Sequence, residues 1–423
     1  MLQINYIIEH QQDVIDRLKI KNFDASEILP KLADLNIQRK SLKKDLDNTL
    51  AEANKIAKSI GQLFKQGKRD DADKMKSKSA ALKDLSKSLT EQMQAVEQEL
   101  QENILLLPNL PHKSVKPGKG EEDNEILSNH GKIPDLGEYK LPHWELAKKY
   151  DLIDFDLGVK LTGAGFPVYK GKGAKLQRAL INFFLDTAID NGYREVLPPL
   201  MVNEDSAYAT GQLPDKEGQM YHMTVDNFYM IPTAEVPVTN MYRDVILKED
   251  DFPQKNVAYS ACFRREAGSY GKHVRGLNRL HQFDKVEIVQ IQHPEKSYAT
   301  LEEMKAHVAG LLEKLGLPYR VLRLCGGDVS FTSALTFDYE VYSAGQERWL
   351  EVSSVSNFEN FQANRLKLRY KDSNGKTQLA HTLNGSALAL PRIMAALLEN
   401  NQTAEGIVVP ELLRPYTRFD IIN

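Results

Sequence analysis

Cysteine is nearly missing from this chain, with 2 in 423 residues. Cys262 and Cys325 form no CxxC pair and no cluster with histidine. A disulfide framework and a structural zinc site both need more thiols, so neither is expected, and a reducing compartment is the natural home. Long apolar runs are missing too. The N-terminal stretch "MLQINYIIEHQQDVIDRLKIKN" carries acids early and is broken by polar residues, which argues against a signal peptide or a membrane span. The expectation is a soluble, cytoplasmic protein with no membrane partner. Two common phosphate-binding loops are absent as well: neither GxGxxG nor GxxxxGK[ST] occurs. Any nucleotide must be held without them.

What is present is ordinary in bulk and uneven in detail. Hydrophobic residues are 42%, charged residues 27%, and the formal net charge is -3, all normal for a globular chain long enough for two domains. Charge therefore has to be read segment by segment. From about residue 27 to 107, apolar residues such as Leu32, Leu35, Leu42, Leu46, Ile56, Ile60 and Leu63 recur at the 3-4 spacing of a coiled-coil seam. The pattern breaks at "KQGKRDD", where Gly67 can turn the chain, and resumes through Met75, Leu82, Leu89, Met93, Val96 and Leu100. Two helices folded back as an antiparallel hairpin are expected, an arm of roughly 50 Å. Between Lys31 and Lys87 there are 15 Lys or Arg against 8 Asp or Glu. A solvated surface explains such a balance, and so does a polyanionic partner.

"LPNLPHKSVKPGKGEEDNE" reads as a linker, rich in Pro, Gly and charge. It divides residues 1–110 from 111–423. Beyond it a helix is expected near 172–191, then short β-patterned runs interrupted by helices near 295–315 and 392–402. That order points to an α+β domain built on an antiparallel sheet, not a doubly wound parallel one.

The hairpin "FRREAGSYGKHVRGLNRLHQFDKVEIV" crowds Arg264, Arg265, Lys272, His273, Arg275 and Arg279 around one loop. A surface loop gains little from so many cations unless an anion visits, and guanidinium suits phosphate or carboxylate. Arg264 and Glu266 taken alone could equally be a cross-strand ion pair. "EVSS" sets Glu351 and Ser354 close together, hard oxygen ligands of the kind Mg²⁺ accepts beside phosphates. In "HTLNGSALALPRIMAALLENNQ" small residues lead into a helix with Arg392 at its start.

Three segments, "GYREVLPPL", "FRREAGSYGKHVRGLNRLHQFDKVE" and "HTLNGSALALPR", resemble in order motifs 1, 2 and 3 of class II aminoacyl-tRNA synthetases. With "TAEVPVTN", "TGQLPDK", "HQFDKVE", "EVSSVSNFENFQ", "TLNGSALA" and the arm, the whole chain is similar to seryl-tRNA synthetases of the bacterial type. The resemblance implies activation of L-serine by ATP and transfer to serine tRNA, with selenocysteine tRNA as a further acceptor. It implies that Arg264 holds the α-phosphate and the serine carboxylate, with Glu266 near the adenine amino group. Phe283 would stack on adenine and Arg392 would lie across its other face near the γ-phosphate. Arg265, Leu280, Val352 and Ser353 would complete the ATP site, and Glu351 and Ser354 would hold Mg²⁺. Thr233, Ala234, Glu235, Glu287 and Ser386, together with Arg264, would bind serine. The arm and the motif 2 loop would grip tRNA, and motif 1, with Pro199, would support a homodimer.

The chain departs from the family's usual pattern at Pro391 and Ala387, where glycine or another residue is common, at Val355 for cysteine, at Asn364 for arginine and at Arg265 for serine. Pro391 suits a first helical turn; Asn364 puts one phosphate or tRNA contact in question. An inactive tRNA-binding protein of the same fold is argued against by the retained Arg264, Glu266, Glu351, Ser354 and Arg392. A paralogue that loads a carrier protein is expected to lack the arm, which is intact here.

Overall fold

The computed structural model describes residues 1–215, 217–266 and 274–423. Lys272 and His273 of the hairpin loop, and Lys216 of "TGQLPDK", lie outside the described residues. The chain divides into two compact units, Met1–Lys19 with Phe23–Pro108, and Ile20–Asn22 with Asn109–Asn423.

Two long helices dominate the first unit: α1 (Ile28–Lys65) and α2 (Arg69–Ile104). Gly67 turns the chain between them at φ +75, a conformation glycine adopts without strain. Leu29, Leu32, Leu35 and Ile56 of α1 and Ala72, Leu82, Leu100 and Ile104 of α2 are buried, as the seam requires. The antiparallel sense shows in the ion pairs, since Lys31 meets Glu99 at 2.8 Å and Lys78 meets Glu52 at 2.7 Å. Both pairs are about half exposed and add little stability. The buried stripe holds the hairpin together.

In the second unit an eight-stranded sheet carries the architecture. Its strands are β1 (Glu125–His130), β2 (Arg194–Glu195), β3 (Gln254–Phe263), β4 (Gln282–Gln292), β5 (Tyr319–Arg323), β6 (Leu335–Ser343), β7 (Arg348–Asn357) and β8 (His381–Ala389). They lie in the order β1-β5-β6-β7-β8-β4-β3-β2. Every pairing is antiparallel except the short β2, which runs parallel to β3. The helices of this unit include α3 (His143–Lys149), α4 (Gly171–Asp190), α5 (Glu235–Asn240), α6 (Ser297–Lys314), α7 (Phe361–Leu366) and α8 (Leu390–Asn400).

Strand alternation gives the sheet two unlike faces. On one, Val286, Ile288, Phe337, Tyr339, Val341, Val355 and Leu383 join Leu180, Phe184, Met304, Val308, Ile393 and Leu397 of the helices in one core. The opposite face carries Phe283, Lys285 and Glu287 of β4, Ser386 of β8, Ser354 of β7 and Asp338 of β6. Register fixes this: Glu287 lies opposite Ser386, and Ser354 opposite Asp338. Helix α5 covers part of that face, where Ala234 and Val238 pack on Ala258 and Val289.

The segment expected as a linker is not one throughout. From Asn109 onward it is fastened to the second unit: the Asn109 N–H donates to Phe331 O at 2.8 Å, and its side-chain amide donates to Thr332 O and Phe358 O at 2.9 and 2.8 Å. Leu110 and Val115 are buried. Proline here spaces apolar residues along a packed strip, so composition alone misreads it.

Candidate active site

Arg264 follows directly on β3. Its Nε–H donates to Pro232 O at 3.3 Å, and its guanidinium lies 5.3 Å from the centre of the Phe283 ring. Such a contact orients the fork while leaving its charge available.

Beside it is a dry, charged pocket. Lys285 Nζ lies 2.6 Å from Glu287 Oε2, with 8% and 2% of their side chains exposed. The Thr233 hydroxyl donates to the same Glu287 oxygen at 3.3 Å and accepts the Glu235 main-chain N–H at 3.2 Å. Glu235 is buried, and its Oε1 accepts from Gln362 Nε2 at 2.6 Å. Gln362 in turn accepts from the Thr382 hydroxyl at 2.6 Å. Burial, then the nearby Glu287 charge, push the Glu235 carboxyl up to about 7. The pocket thus holds two carboxyl groups and one ammonium group in a network that fixes their positions, with the Arg264 charge felt at Glu235.

Farther along the same face, Ser354 donates to Glu351 Oε1 at 3.4 Å. Arg392 leaves the first turn of α8, where Pro391 is accommodated among the first helical residues. Arg392 Nη1 donates to Glu351 O at 2.7 Å and lies 3.6 Å from Glu351 Oε2. Its Nε–H donates to Asn278 O at 3.1 Å. Asp338 is paired in register with Ser354. Burial and the Glu351 charge push its carboxyl well above the usual range, and its buried Oδ1 has no hydrogen-bond partner among the described residues.

Among the described residues no group of three or more His, Cys, Asp or Glu is placed to hold a metal. Glu351 and Ser354 offer hard oxygen donors of the kind Mg²⁺ accepts beside water and phosphate oxygens.

The remaining candidates divide. Glu266 pairs not with Arg264 but with Arg279, at 2.8 Å, tying the two sides of the hairpin together. Arg265 is exposed, and its N–H donates to Gln219 O at 2.9 Å. Ser386 faces the pocket opposite Glu287. Val352 and Leu280 are part of the apolar core, and Ala234 is buried under α5. The Ser353 hydroxyl is spent on Ser386 O at 2.6 Å. These four can offer a ligand main-chain groups and shape, not side-chain polarity.

Residues 1–111 match the family model of the seryl-tRNA synthetase N-terminal domain, and residues 221–401 match that of the class II tRNA synthetase core domain (G, H, P, S and T). The serine–tRNA ligase of Salinibacter ruber is 48% identical over 421 residues, 99% of this chain and 98% of the relative. The chain belongs to the seryl-tRNA synthetase family. The enzyme of that name from Chlorobaculum parvum is 46% identical over the full length of both chains. Among solved structures, the seryl-tRNA synthetase of Pyrococcus horikoshii complexed with ATP superposes with a TM-score of 0.90 at 31% identity, covering 100% of this chain and 99% of that one.

Sequence reading missed Lys285, Gln362, Thr382 and Asp338. For Lys285 the signal was present: in "FDKVE" it is two residues from Glu287 and must share its face. Gln362 reaches Glu235 across 127 positions, a distance no local pattern reveals.

Proposed function

We propose that this seryl-tRNA synthetase family member is a serine–tRNA ligase that activates L-serine with ATP and passes the seryl group to the 3′ end of serine tRNA. The observation that carries the reading is the joining, on one polar sheet face, of the Arg264–Phe283 pair, the Thr233–Glu235–Glu287 pocket and the Glu351–Ser354–Arg392 cluster. A zwitterionic amino acid needs both a cation and a carboxylate, and Arg264 and Glu287 supply them. The name of the Salinibacter ruber relative and the ATP complex of the Pyrococcus horikoshii enzyme support it.

In the first step a serine carboxylate oxygen bonds to the α-phosphorus, and the bond to the bridging oxygen breaks, releasing pyrophosphate. Such a displacement needs positioning and charge neutralisation more than a protein base. Arg264 meets both carboxylate and α-phosphate, Phe283 gives adenine a face, and Arg392 neutralises the leaving pyrophosphate. Glu351 and Ser354 would hold Mg²⁺, whose charge offsets that of the phosphates. Glu287 takes the ammonium, and Thr233 and Glu235 shape the pocket for the hydroxyl. A site built to bond a hydroxyl rejects an analogue lacking it. In the second step a terminal ribose hydroxyl of the tRNA attacks the acyl carbon and AMP leaves.

The basic helical hairpin is the proposed tRNA grip, by backbone and shape recognition rather than by reading bases. The working form is proposed to be a cytoplasmic homodimer joined through motif 1. Amino-acid-dependent ATP–pyrophosphate exchange without tRNA, across the twenty amino acids, tests the chemistry. Exchange with serine alone is expected; exchange with a different amino acid would overturn the pocket assignment.

A further inference from the structure

Behind Arg392, outside the residues assigned above, lies a fully buried histidine–carboxylate pair. His143 opens α3, Glu399 is near the end of α8, and both side chains are 0% exposed, with Nδ1 2.7 Å from Oε1. A carboxylate out of water must have its lone pairs met, and here they are. Oε1 also accepts the His143 main-chain N–H at 2.9 Å and Gln346 Nε2–H at 3.0 Å. Oε2 accepts the Gly345 N–H at 3.1 Å and the Ser343 hydroxyl.

The other imidazole nitrogen accepts from the chain that returns from the arginine-rich hairpin. Leu277 N–H donates to His143 Nε2 at 2.8 Å, which leaves Nδ1 as the nitrogen that donates to Glu399. Gly276 makes the approach possible: its φ is +70, and a Cβ there would stand 2.2 Å from Nε2. Asn278, the next residue along, gives its carbonyl to Arg392 Nε, and its side-chain amide donates to Gln346 Oε1 at 2.8 Å. Arg275 adds a second tie, its guanidinium 4.7 Å over the ring of Trp144, the neighbour of His143.

Arg392 and Glu399 stand seven positions apart on α8, two turns along one face. Hydrogen bonds, with the peptide link between residues 277 and 278, therefore close a circuit from Arg392 through Asn278, Leu277, His143 and Glu399 back to the same helix. We propose that His143 and Glu399 are positioning residues for Arg392, acting through the 277–278 main chain to hold the guanidinium where it meets the nucleotide. This rests on the assignment of Arg392 to ATP. An ordinary core pair joining α3 to α8 would stabilise the fold without favouring one substrate.

Serine-dependent ATP–pyrophosphate exchange by the full-length enzyme separates the two, with KM for ATP and for serine measured independently and thermal unfolding recorded alongside. His143→Ala is expected to raise the KM for ATP about tenfold, the scale of one lost buried hydrogen bond, and to leave that for serine within about twofold. His143→Gln, whose amide oxygen can accept from Leu277, is expected to recover part of the loss, and it carries the comparison should the alanine variant not fold. In an Arg392→Ala background, His143→Gln should have no further effect on the KM for ATP. Equal shifts in both KM values, or a lower melting temperature with neither changed, would overturn the positioning role. An Arg392→Ala variant with an unchanged KM for ATP would instead overturn the assignment of Arg392 itself.

Discussion

Glu235→Gln isolates the energetic cost of the dry pocket. Burial, then the Glu287 charge, lift the Glu235 carboxyl from the ordinary 4.5 to about 7. The folded protein thus binds a proton more tightly than the unfolded chain does. Stability is unpenalised below 4.5, falls as pH rises through the window from 4.5 to about 7, and stays lowered above it. At roughly 1.4 kcal/mol per tenfold change in proton affinity, the full penalty is about 3 kcal/mol. Glutamine pays none of it, and its amide oxygen can still accept from Gln362, now 2.6 Å from Glu235 Oε1. The variant should therefore be more stable than the parent by about 3 kcal/mol near pH 8 and by under about 1 kcal/mol near pH 5. Urea unfolding of both proteins in matched buffers at the two pH values measures the difference. A gap that is the same at both, or a variant less stable at the higher pH, would refute the reasoning.

Arg264→Ala should lower serine-dependent pyrophosphate exchange on the order of a thousandfold, the scale of losing one group aimed at developing charge; near-normal exchange would remove Arg264 from the chemistry. Deleting residues 40–90 should spare exchange while reducing tRNA charging on the order of a hundredfold through lost phosphate contacts. Loss of both activities would show that the arm is not separable. Lys285→Met leaves Glu287 buried beside no ammonium group and should cost about 3–5 kcal/mol in urea unfolding, much of it recovered by adding Glu287→Gln; a neutral Lys285→Met would mean the pair contributes little.

Legibility followed the range of the interactions. The arm's seam is local, repeating within each turn, so Leu32, Leu35, Ile56, Leu82 and Leu100 could be read as buried, and they are. The helix read near 172–191 runs Gly171–Asp190 for the same reason. Strand order was not legible, because neighbours such as β4 and β8 come from distant stretches and their register slips at a bulge between Lys285 and Glu287. Motif spacing brought out Arg264, Glu351, Ser354 and Arg392, but gave no hint that Glu266 would pair with Arg279 instead. Buried partners such as Gln362 and Glu399 stayed silent. An uncharged amide on a six-residue helix and a lone acid near a helix end look like solvated residues until the fold removes the water.

The cost of that pocket bears on its purpose. Glu235, Glu287, Lys285 and Arg264 are brought within each other's field on a face where Glu235, Glu287 and Lys285 have almost no contact with water. A well-packed apolar pocket of the same volume would be as stable or more so, so stability does not explain the arrangement. Two acids and two bases also leave no large net charge, which would suit neither an anion nor a cation alone. They suit a ligand carrying both signs on one carbon. Its ammonium would meet Glu287, and its carboxylate would face Arg264, the group best placed to meet a phosphate next. On the proposed reading, the charge pattern would select an amino acid, and the Thr233 and Glu235 network around the side chain would select which one.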